Sequence, residues 1–407
     1  MRNITLSRLL FSFFIISLYL VCYAQDDNFN KAVSLYYKNE MDKALKVFKT
    51  LSETQNSSAE LYAWIAQTNL RLSRLDQAEK YAKLALQIDG CNSFAHTVIG
   101  SAMLQASNYK LNSAADSSWF HLMRAIDCDS TNCNAWVEIW SAAWGLNKLN
   151  IAYKAIRKLR ETGFLTNSTL AFGRWLLSYL PENAIIITSG DMDTYPMLAL
   201  QLTENFRTDV IVIEKEWLDI DWTLRNIKND YKLPIYLKDE DLSAVLKQKK
   251  NNWGTTADTP VLKRWIENLK EGIFNHPIAF SVTVGPKYLA SLENNIEYFD
   301  PYFLLNTYKS KDSIDLNVLG KSVNEIEISS FTGPWTSDRD LNPIRRQYTK
   351  YLILNISAAA LSYTDELIKQ KQFSKADTIL NFIEKLESKS ELGLFSKEDI
   401  QKRKSQF

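Results

Sequence analysis

The amino-acid sequence predicts an α + α/β protein: helical repeats first, then an α/β domain on a mainly parallel sheet, then a C-terminal helical pair. Three observations predict it. Small and bulky apolar residues recur in a helix, turn, helix pattern from about Asn28 to Arg160. After Phe164, β-branched runs alternate with stretches of helical spacing, and near the end helical spacing takes over again. The segments read as 1–24, a signal peptide; 25–164, the helical repeats; 165–335, the α/β domain; and 336–407, the C-terminal helical segment.

The first segment carries Arg2 and Arg8, an uncharged apolar core from Leu9 to Val21, then Cys22, Tyr23 and Ala24 ahead of a polar run opening with Gln25. Positive start, short apolar core and small residue before a polar stretch describe a cleavable export signal. A retained anchor would need about 20 apolar residues, more than this core supplies. Lipidation at Cys22 is disfavoured by the bulk of Val21 before it. The expectation is an exported protein, periplasmic or associated with the cell envelope, with no membrane span once the signal is removed.

Net charge is +1 for the whole chain, and loss of Arg2 and Arg8 would leave it at −1. A near-neutral surface offers no electrostatic case for nucleic acid. A mature chain of roughly 380 residues is long enough for two cored domains. Aromatic residues make up 12% of the chain, enough to supply core or stacking area to both.

In the repeat segment, Leu35 to Tyr37 precede the turn at Asn39–Asp42, after which Ala44, Leu45 and Phe48 recur at helical spacing. A second copy runs Trp64, Ala66, Leu70, a turn at Ser73–Asp76, then Ala78, Tyr81, Ala82, Ala85 and Leu86. A third spans Phe94 to Asp127 with an enlarged turn, and a fourth runs from Ala135 through Trp136, Trp140 and Trp144 to Ala152, Ala155, Ile156 and Leu159. Small residues at helix crossings let paired helices approach closely, so that each unit buries its apolar stripe on the next. These units resemble the tetratricopeptide repeat family over about 28–160, although the glycine expected early in each unit is mostly missing. Tyr348–Lys371 and Phe373–Leu386, with Ala376, Ile379 and Leu380, look like one more such unit. The resemblance implies a protein partner held by stacked helices.

Trp136, Trp140 and Trp144 are four apart and so share one helix face. Covered by a second helix they are core; uncovered they are a stacking platform for a sugar ring or peptide. His96 and His121 fall within helical patterns and read as packed or surface residues rather than ligands. Beyond the signal the cysteines are Cys91, Cys128 and Cys133. An exported compartment permits a disulfide, and a Cys128–Cys133 bridge would clamp an inter-helix loop; three buried thiols is the other reading. No close Cys or His pairing marks a metal site, and no cofactor is expected.

In the α/β segment, Ala184–Thr188 and Asp209–Ile213 read as strands, with Leu233–Leu237, Ile278–Val284 and Glu297–Leu305 as further candidates. Helices are expected at Tyr195–Asn205, Asp219–Asp230, Asp241–Lys247, Pro260–Glu271 and Pro286–Leu292. Strand alternating with helix implies right-handed crossovers and parallel pairing. After the first strand comes Ser189-Gly190-Asp191-Met192-Asp193-Thr194-Tyr195-Pro196. Gly190 allows a sharp turn, Asp191 or Asp193 can cap the following helix, and Pro196 suits its first turn.

Such a loop leaves the carboxyl end of a strand, where open α/β sheets place ligands. Glu214, Asp221 and Trp222 follow the second strand. The candidate ligand-binding set is therefore Gly190, Asp191, Asp193, Thr194, Tyr195, Glu214, Asp221 and Trp222. Carboxylates there suit sugar hydroxyls or a divalent cation; the alternative is simple helix capping. The loop lacks the glycines and lysine of a phosphate cradle.

Pro181, Asn183, Gly190-Asp191, Asp193-Thr194-Tyr195-Pro196, Leu200-Gln201, Arg207, Asp209-Val210 and Asp221-Trp222 resemble the soluble C-terminal region of a bacterial membrane family described as protein O-mannosyltransferase-like, of undefined function. Pro277, Ile278, Phe280, Val282, Thr283 and Val284 match a later strand of that region, so the resemblance covers about 180–305. Ser189 and Met192 depart from it, since both positions usually carry Asn in that family. The membrane-spanning portion to which glycosyl transfer would belong has no counterpart in this sequence. The resemblance implies an extracytoplasmic accessory domain.

The expected function is a non-catalytic scaffold or accessory protein of the envelope, binding a protein partner through its repeats and a glycan through the α/β domain. The alternative is a carbohydrate-active or metal-dependent enzyme centred on Gly190-Asp191-Met192-Asp193, using paired carboxylates. No catalytic residue is assigned, because neither a serine elbow nor a His-Glu-x-x-His motif is present.

Overall fold

The computed structural model describes residues 27–54, 58–107, 114–238, 254–298, 302–305, 322–326, 329–332, 343–389 and 396–407. The export signal and the helix expected at Asp241–Lys247 lie outside them. The chain forms two compact units, Met1–Leu146 and Asn147–Phe407. That division falls earlier than the boundary at 164 expected from the repeat pattern.

The first unit consists of α1 (27–37), α2 (Met41–Thr54), α3 (Ala59–Arg71), α4 (Leu75–Ile88), α5 (Ser93–Ala106), α6 (Ala114–Cys128) and α7 (Cys133–Gly145). Short connections make sequence neighbours pack as antiparallel pairs, and α3 against α4 and α5 against α6 are the most extensive. Alanines allow this closeness: Ala63, Ala66, Ala78, Ala82, Ala85, Ala95 and Ala102 are all buried in one core with Val98 and Ile99. Gly100 takes the tightest position, where an added Cβ would stand 2.7 Å from Leu122 Cδ2 and 3.3 Å from the Ser118 carbonyl. A second core around Tyr36, Leu45, Phe48 and Ile65 joins α1 to α3.

Two turns in this unit share one chemistry. Asp89 accepts a hydrogen bond from the Cys91 N–H, and Asn92 then caps α5 by accepting from Ala95 N–H. Asp129 accepts from Thr131 N–H, and Asn132 caps α7 by accepting from Ala135 N–H. An aspartate-stabilised turn followed by an asparagine cap satisfies the donors that a helix start leaves open.

The disulfide corrects the expected pairing. Cys91 is joined to Cys128, with Cα atoms 5.4 Å apart, and Cys133 is a free thiol. Cys133 is the first residue of α7, beyond the turn, whereas Cys91 and Cys128 lie at the neighbouring ends of α5 and α6, where hairpin packing juxtaposes them. The bridge therefore clamps a helical hairpin and not the Asp129–Asn132 loop.

The second unit opens with α8 (Leu149–Glu161) and α9 (Asn167–Ser178), then β1 (Ile185–Thr188), α10 (Asp191–Glu204), β2 (Ile211–Glu214), α11 (Asp221–Asp230) and α12 (Pro260–Lys270). It continues with β3 (Ile278–Ser281), α13 (Pro286–Leu289), β4 (Ile296–Tyr298), β5 (Tyr302–Leu305), α14 (Ser329–Thr332), α15 (Pro343–Lys369), α16 (Phe373–Lys389) and α17 (Lys397–Lys404). The strand order is β2-β1-β3-β5-β4. β1 lies parallel to β2 and β3, and its isoleucines are fully buried, as a central parallel strand covered on both faces should be. β5 pairs antiparallel with both β3 and β4, so the sheet is mixed at that edge.

Two strand expectations change. Leu233–Leu237 is not a strand: Pro234 has no N–H to give a ladder and Tyr236 adopts φ 58°, which breaks an extended run. Glu297–Leu305 is two antiparallel strands and not one. The C-terminal pair α15 and α16 forms as expected around Ala360, Leu367, Ala376, Ile379 and Leu380.

Candidate functional site

β1 is followed by a chain that crosses to β2 on one side, while β3 pairs with its other edge. The divergence opens a crevice beyond the carboxyl ends of β1 and β3, the topological switch point at which open α/β sheets hold ligands. A pocket of about 250 Å³ occupies it. Ser189 after β1, Asp193 on α10, Thr283 after β3, and Tyr351, Leu352 and Asn355 on α15 contribute to its walls.

Gly190 makes the turn into α10, at φ 91° and ψ 173°, a region open essentially to glycine alone. It stands at the N-cap without a capping side chain, which corrects the expectation that Asp191 or Asp193 fills that position. Asp193, in the first turn, reaches back instead. Its two carboxylate oxygens accept from the Ser189 N–H, each at 3.2 Å, and one also accepts from the Thr283 hydroxyl. The side chain thereby ties the β1 loop to the β3 loop. Asp193 is only 3% exposed. Burial raises its carboxyl to about 6, with the Thr283 and Ser189 hydrogen bonds opposing the rise.

The other candidates divide. Thr194 is buried, gives its hydroxyl to the Gly190 carbonyl and lies 2.6 Å from the Thr188 hydroxyl, so it supports the loop from beneath. Tyr195 is core, and Pro196 stands in the second turn of α10 and not the first. Asp191 is exposed at the start of α10, and Glu214 ends β2. Burial raises the Glu214 carboxyl well above the usual carboxylate range, and the charges of Asp191, Glu216 and Asp193 add to it. Asp191 and Asp193 in the first turn of α10 and Glu214 at the end of β2 thus stand at the same, carboxyl end of the sheet. Asp221 does not belong with them: it opens α11 and pairs with Arg225 at 2.9 Å along the same helix. Trp222 follows it and is half-buried.

Several participants stand outside the candidate set. Lys215 donates to the Ser189 hydroxyl at 2.7 Å and lies 3.5 Å from Glu216, placing one cation among the acids. Asp219 is buried and accepts from the Gly254 N–H at 2.9 Å. Thr283 lies in a stretch whose resemblance was visible, and its place after a parallel strand was the signal that could have marked it. Tyr351 and Asn355 come from a helix far along the chain with no local motif. Among the described residues, no group of three or more His, Cys, Asp or Glu side chains is arranged to hold a metal ion.

At the opposite, amino ends of the strands, other residues of the resemblance build a separate structure. Arg207 donates to both oxygens of Asp209 at 2.9 and 2.8 Å and to the carbonyls of Leu177 and Pro181. Asp209 accepts from Asn183 N–H, and Gln201 donates to the carbonyls of Arg207 and Val210. These residues hold the frame and are remote from the pocket end of the strands.

Trp136, Trp140 and Trp144 are each 2% exposed, which removes the platform reading. The Trp136 indole donates to the Ser130 carbonyl, and Trp140 and Trp144 stack with ring centres 5.7 Å apart.

In a comparison with known families, residues 169–260 fit the model of TMEM260-associated domain 2. The match covers most of α9 and runs on through α11, so it includes β1, the Gly190 loop and the Arg207 network. It supports a relation to that domain family for this region, and says nothing of O-mannosyl transfer. A crystal structure of a thermophilic TPR protein in Thermus thermophilus is similar at 13% identity and a TM-score of 0.34, covering 55% of this chain and 97% of that one. At that score the likeness carries no argument; the paired helices described above stand by themselves. No curated protein matches the chain significantly.

Proposed function

We propose that this is a non-catalytic accessory protein of the cell envelope, which holds a protein partner through its helical repeats and a small polar ligand, a glycan end, at the switch point of its α/β unit. The observation that carries the reading is the repeat construction itself: paired helices with alanine-lined crossings build extended surfaces suited to a protein chain. The pocket supports the second half. A carboxyl group, two hydroxyls, an amide and a tyrosine ring are the groups that meet sugar hydroxyls and the apolar face of a ring.

Export rests on the charge and hydrophobicity pattern of residues 1–24, and the Cys91–Cys128 bridge fits an oxidising compartment. No helix among the described residues is long and apolar enough to cross a membrane. Fusion of residues 1–24 to a reporter active only outside the cytoplasm tests export. Calorimetric titration with a panel of envelope sugars tests the pocket: binding lost in Asn355→Ala and Thr283→Val supports it, and no saturable binding of any sugar removes the glycan from the reading.

A second reading, a carbohydrate-active enzyme, has one specific observation in its favour. Asp193 and Glu214 both have raised carboxyls beside Asp191, an arrangement that can supply the acid of paired-carboxylate hydrolysis. Turnover of a sugar that binds the pocket, abolished by Asp193→Asn, would favour it over the scaffold.

A further inference from the structure

A second pocket, of about 290 Å³, lies on the second unit away from the sheet's carboxyl ends. Arg160 of α8, Asn167 and Arg174 of α9, Glu204 of α10 and Ser330 of α14 line it. Glu204 bridges the two arginines: Arg160 donates to one carboxylate oxygen at 2.6 Å and Arg174 to the other. Arg160 gives a further N–H to the Thr203 hydroxyl. Arg174 instead lies over the Phe206 ring, 4.7 Å from its centre.

Each guanidinium has five N–H donors. Among the described residues Arg174 has Glu204 as its hydrogen-bond acceptor, so most of its fork is left for an acceptor from outside. Two guanidiniums against one carboxylate leave the pocket with one net positive charge. Partial burial raises the Glu204 carboxyl, but hydrogen bonds from Arg174 and Arg160 outweigh that and hold it below the usual carboxylate range, so Glu204 stays ionised.

We propose that this pocket binds a carboxylate group, received by the open fork of Arg174 with Arg160, Asn167 and Ser330 beside it. One net positive charge balances a single carboxylate, whose two coplanar oxygens match the parallel N–H pair of a guanidinium. A phosphate dianion would overfill that charge next to Glu204. The carboxylate is that of a free organic acid or of an acidic residue on a protein chain.

Titration calorimetry on the full chain at low ionic strength tests this with three probes: sodium acetate, an acetylated and amidated tripeptide carrying one glutamate, and inorganic phosphate. Saturable binding of the carboxylate probes is expected. Arg174→Gln should weaken it by about tenfold or more, and Glu204→Gln should tighten it by about tenfold, because the second arginine is then unopposed. A preference for the tripeptide over acetate assigns the source to a protein, and equal affinity assigns it to a small acid. Absence of saturable binding in both wild type and a folded Glu204→Gln, or phosphate preferred to both carboxylates, overturns the proposal. If Glu204→Gln does not fold, Arg174→Lys decides: it keeps the charge and loses the fork, so unchanged affinity also overturns it.

Discussion

The Thr283 hydroxyl donates to the Asp193 carboxylate across the carboxyl ends of two neighbouring parallel strands. Asp193 thereby sets the distance between the two lips of the switch-point pocket, while being almost wholly removed from water. A single buried acid holding a site open makes the site sensitive to that acid's protonation.

The first prediction concerns that proton. The Asp193 carboxyl titrates near 6 in the folded chain against an ordinary value of 3.8, so the folded state binds the proton more tightly than the unfolded state. Its stabilising contribution is therefore complete below 3.8 and is lost as pH rises through about 6. Asp193→Asn is close in shape, keeps an acceptor for Ser189 N–H and carries no charge. Relative to wild type it should gain on the order of 2 kcal/mol between pH 4 and pH 7, measured by denaturant unfolding at both values. An equal difference at the two pH values would contradict the raised carboxyl.

The disulfide gives a second. Cys91–Cys128 closes a loop with a sequence separation of 37, and in the chain-entropy account a loop of that length stabilises by about 3–4 kcal/mol. Cys91→Ser and Cys128→Ser should each lower the unfolding midpoint to the level of the reduced protein, whereas Cys133→Ser should change it little. Mass spectrometry of a non-reducing digest checks the pairing directly; a Cys128–Cys133 peptide would restore the pairing expected from sequence alone.

Much of the repeat unit was legible because it is written locally. Alanine spacing, bulky partners and turn residues all lie within a helix or two of each other. A further local signal lay in the turns: Asn39, Ser73, Asn147 and Lys371 each adopt positive φ just after a helix. That is the left-handed position usually given to glycine, and these turns are made without it. Of the candidate site, Gly190, Asp191, Asp193 and Glu214 were legible from the strand-end rule, and of these Asp193 lines the pocket. Tyr351, Asn355 and Lys215 were not, because their roles depend on which distant helix covers the sheet and where a long side chain points. The disulfide was misread for a related reason: nearness in sequence favoured Cys133, whereas hairpin packing brings Cys91 to Cys128.

The third prediction concerns His96 and His121, whose Nδ1 atoms are 2.8 Å apart. His96 Nε2 lies 3.3 Å from the Gly90 carbonyl, an acceptor only, so it carries a proton; neutral His96 then accepts at Nδ1 from His121. Burial lowers both rings; for His96, Arg124 lowers it further against the Gly90 carbonyl and Asp89, and for His121, His96 and Lys83 add to the lowering against Glu79. Bases whose folded pKa is depressed stabilise fully above the ordinary histidine value and lose that contribution as pH falls through the folded values. The wild type should lose more stability than His96→Gln/His121→Gln on going from pH 7.5 to pH 5. Equal acid sensitivity of the two would refute the neutral pair.

The last prediction separates frame from site. Arg207 joins the end of α9, the loop before β1 and the loop before β2 through four hydrogen bonds to Asp209, Leu177 and Pro181. Arg207→Ala leaves the Asp209 carboxylate and two carbonyls without this partner and should cost about 2–4 kcal/mol. Arg207→Lys should recover only part of that, since an ammonium cannot reproduce the fork. The Asp209 carboxyl, held at about 2 chiefly by its hydrogen bonds from Arg207, should rise in Arg207→Ala towards its ordinary 3.8. Its stabilising effect, present above 3.8 in the wild type and lost as pH falls through about 2, should disappear with it. Because the network stands at the amino ends of the strands, affinity at the switch-point pocket in the folded Arg207→Lys protein should match wild type, while Thr283→Val should lose affinity there with a smaller stability cost. The opposite pattern would mean that the pocket depends on the frame more directly than the geometry around Asp193 implies.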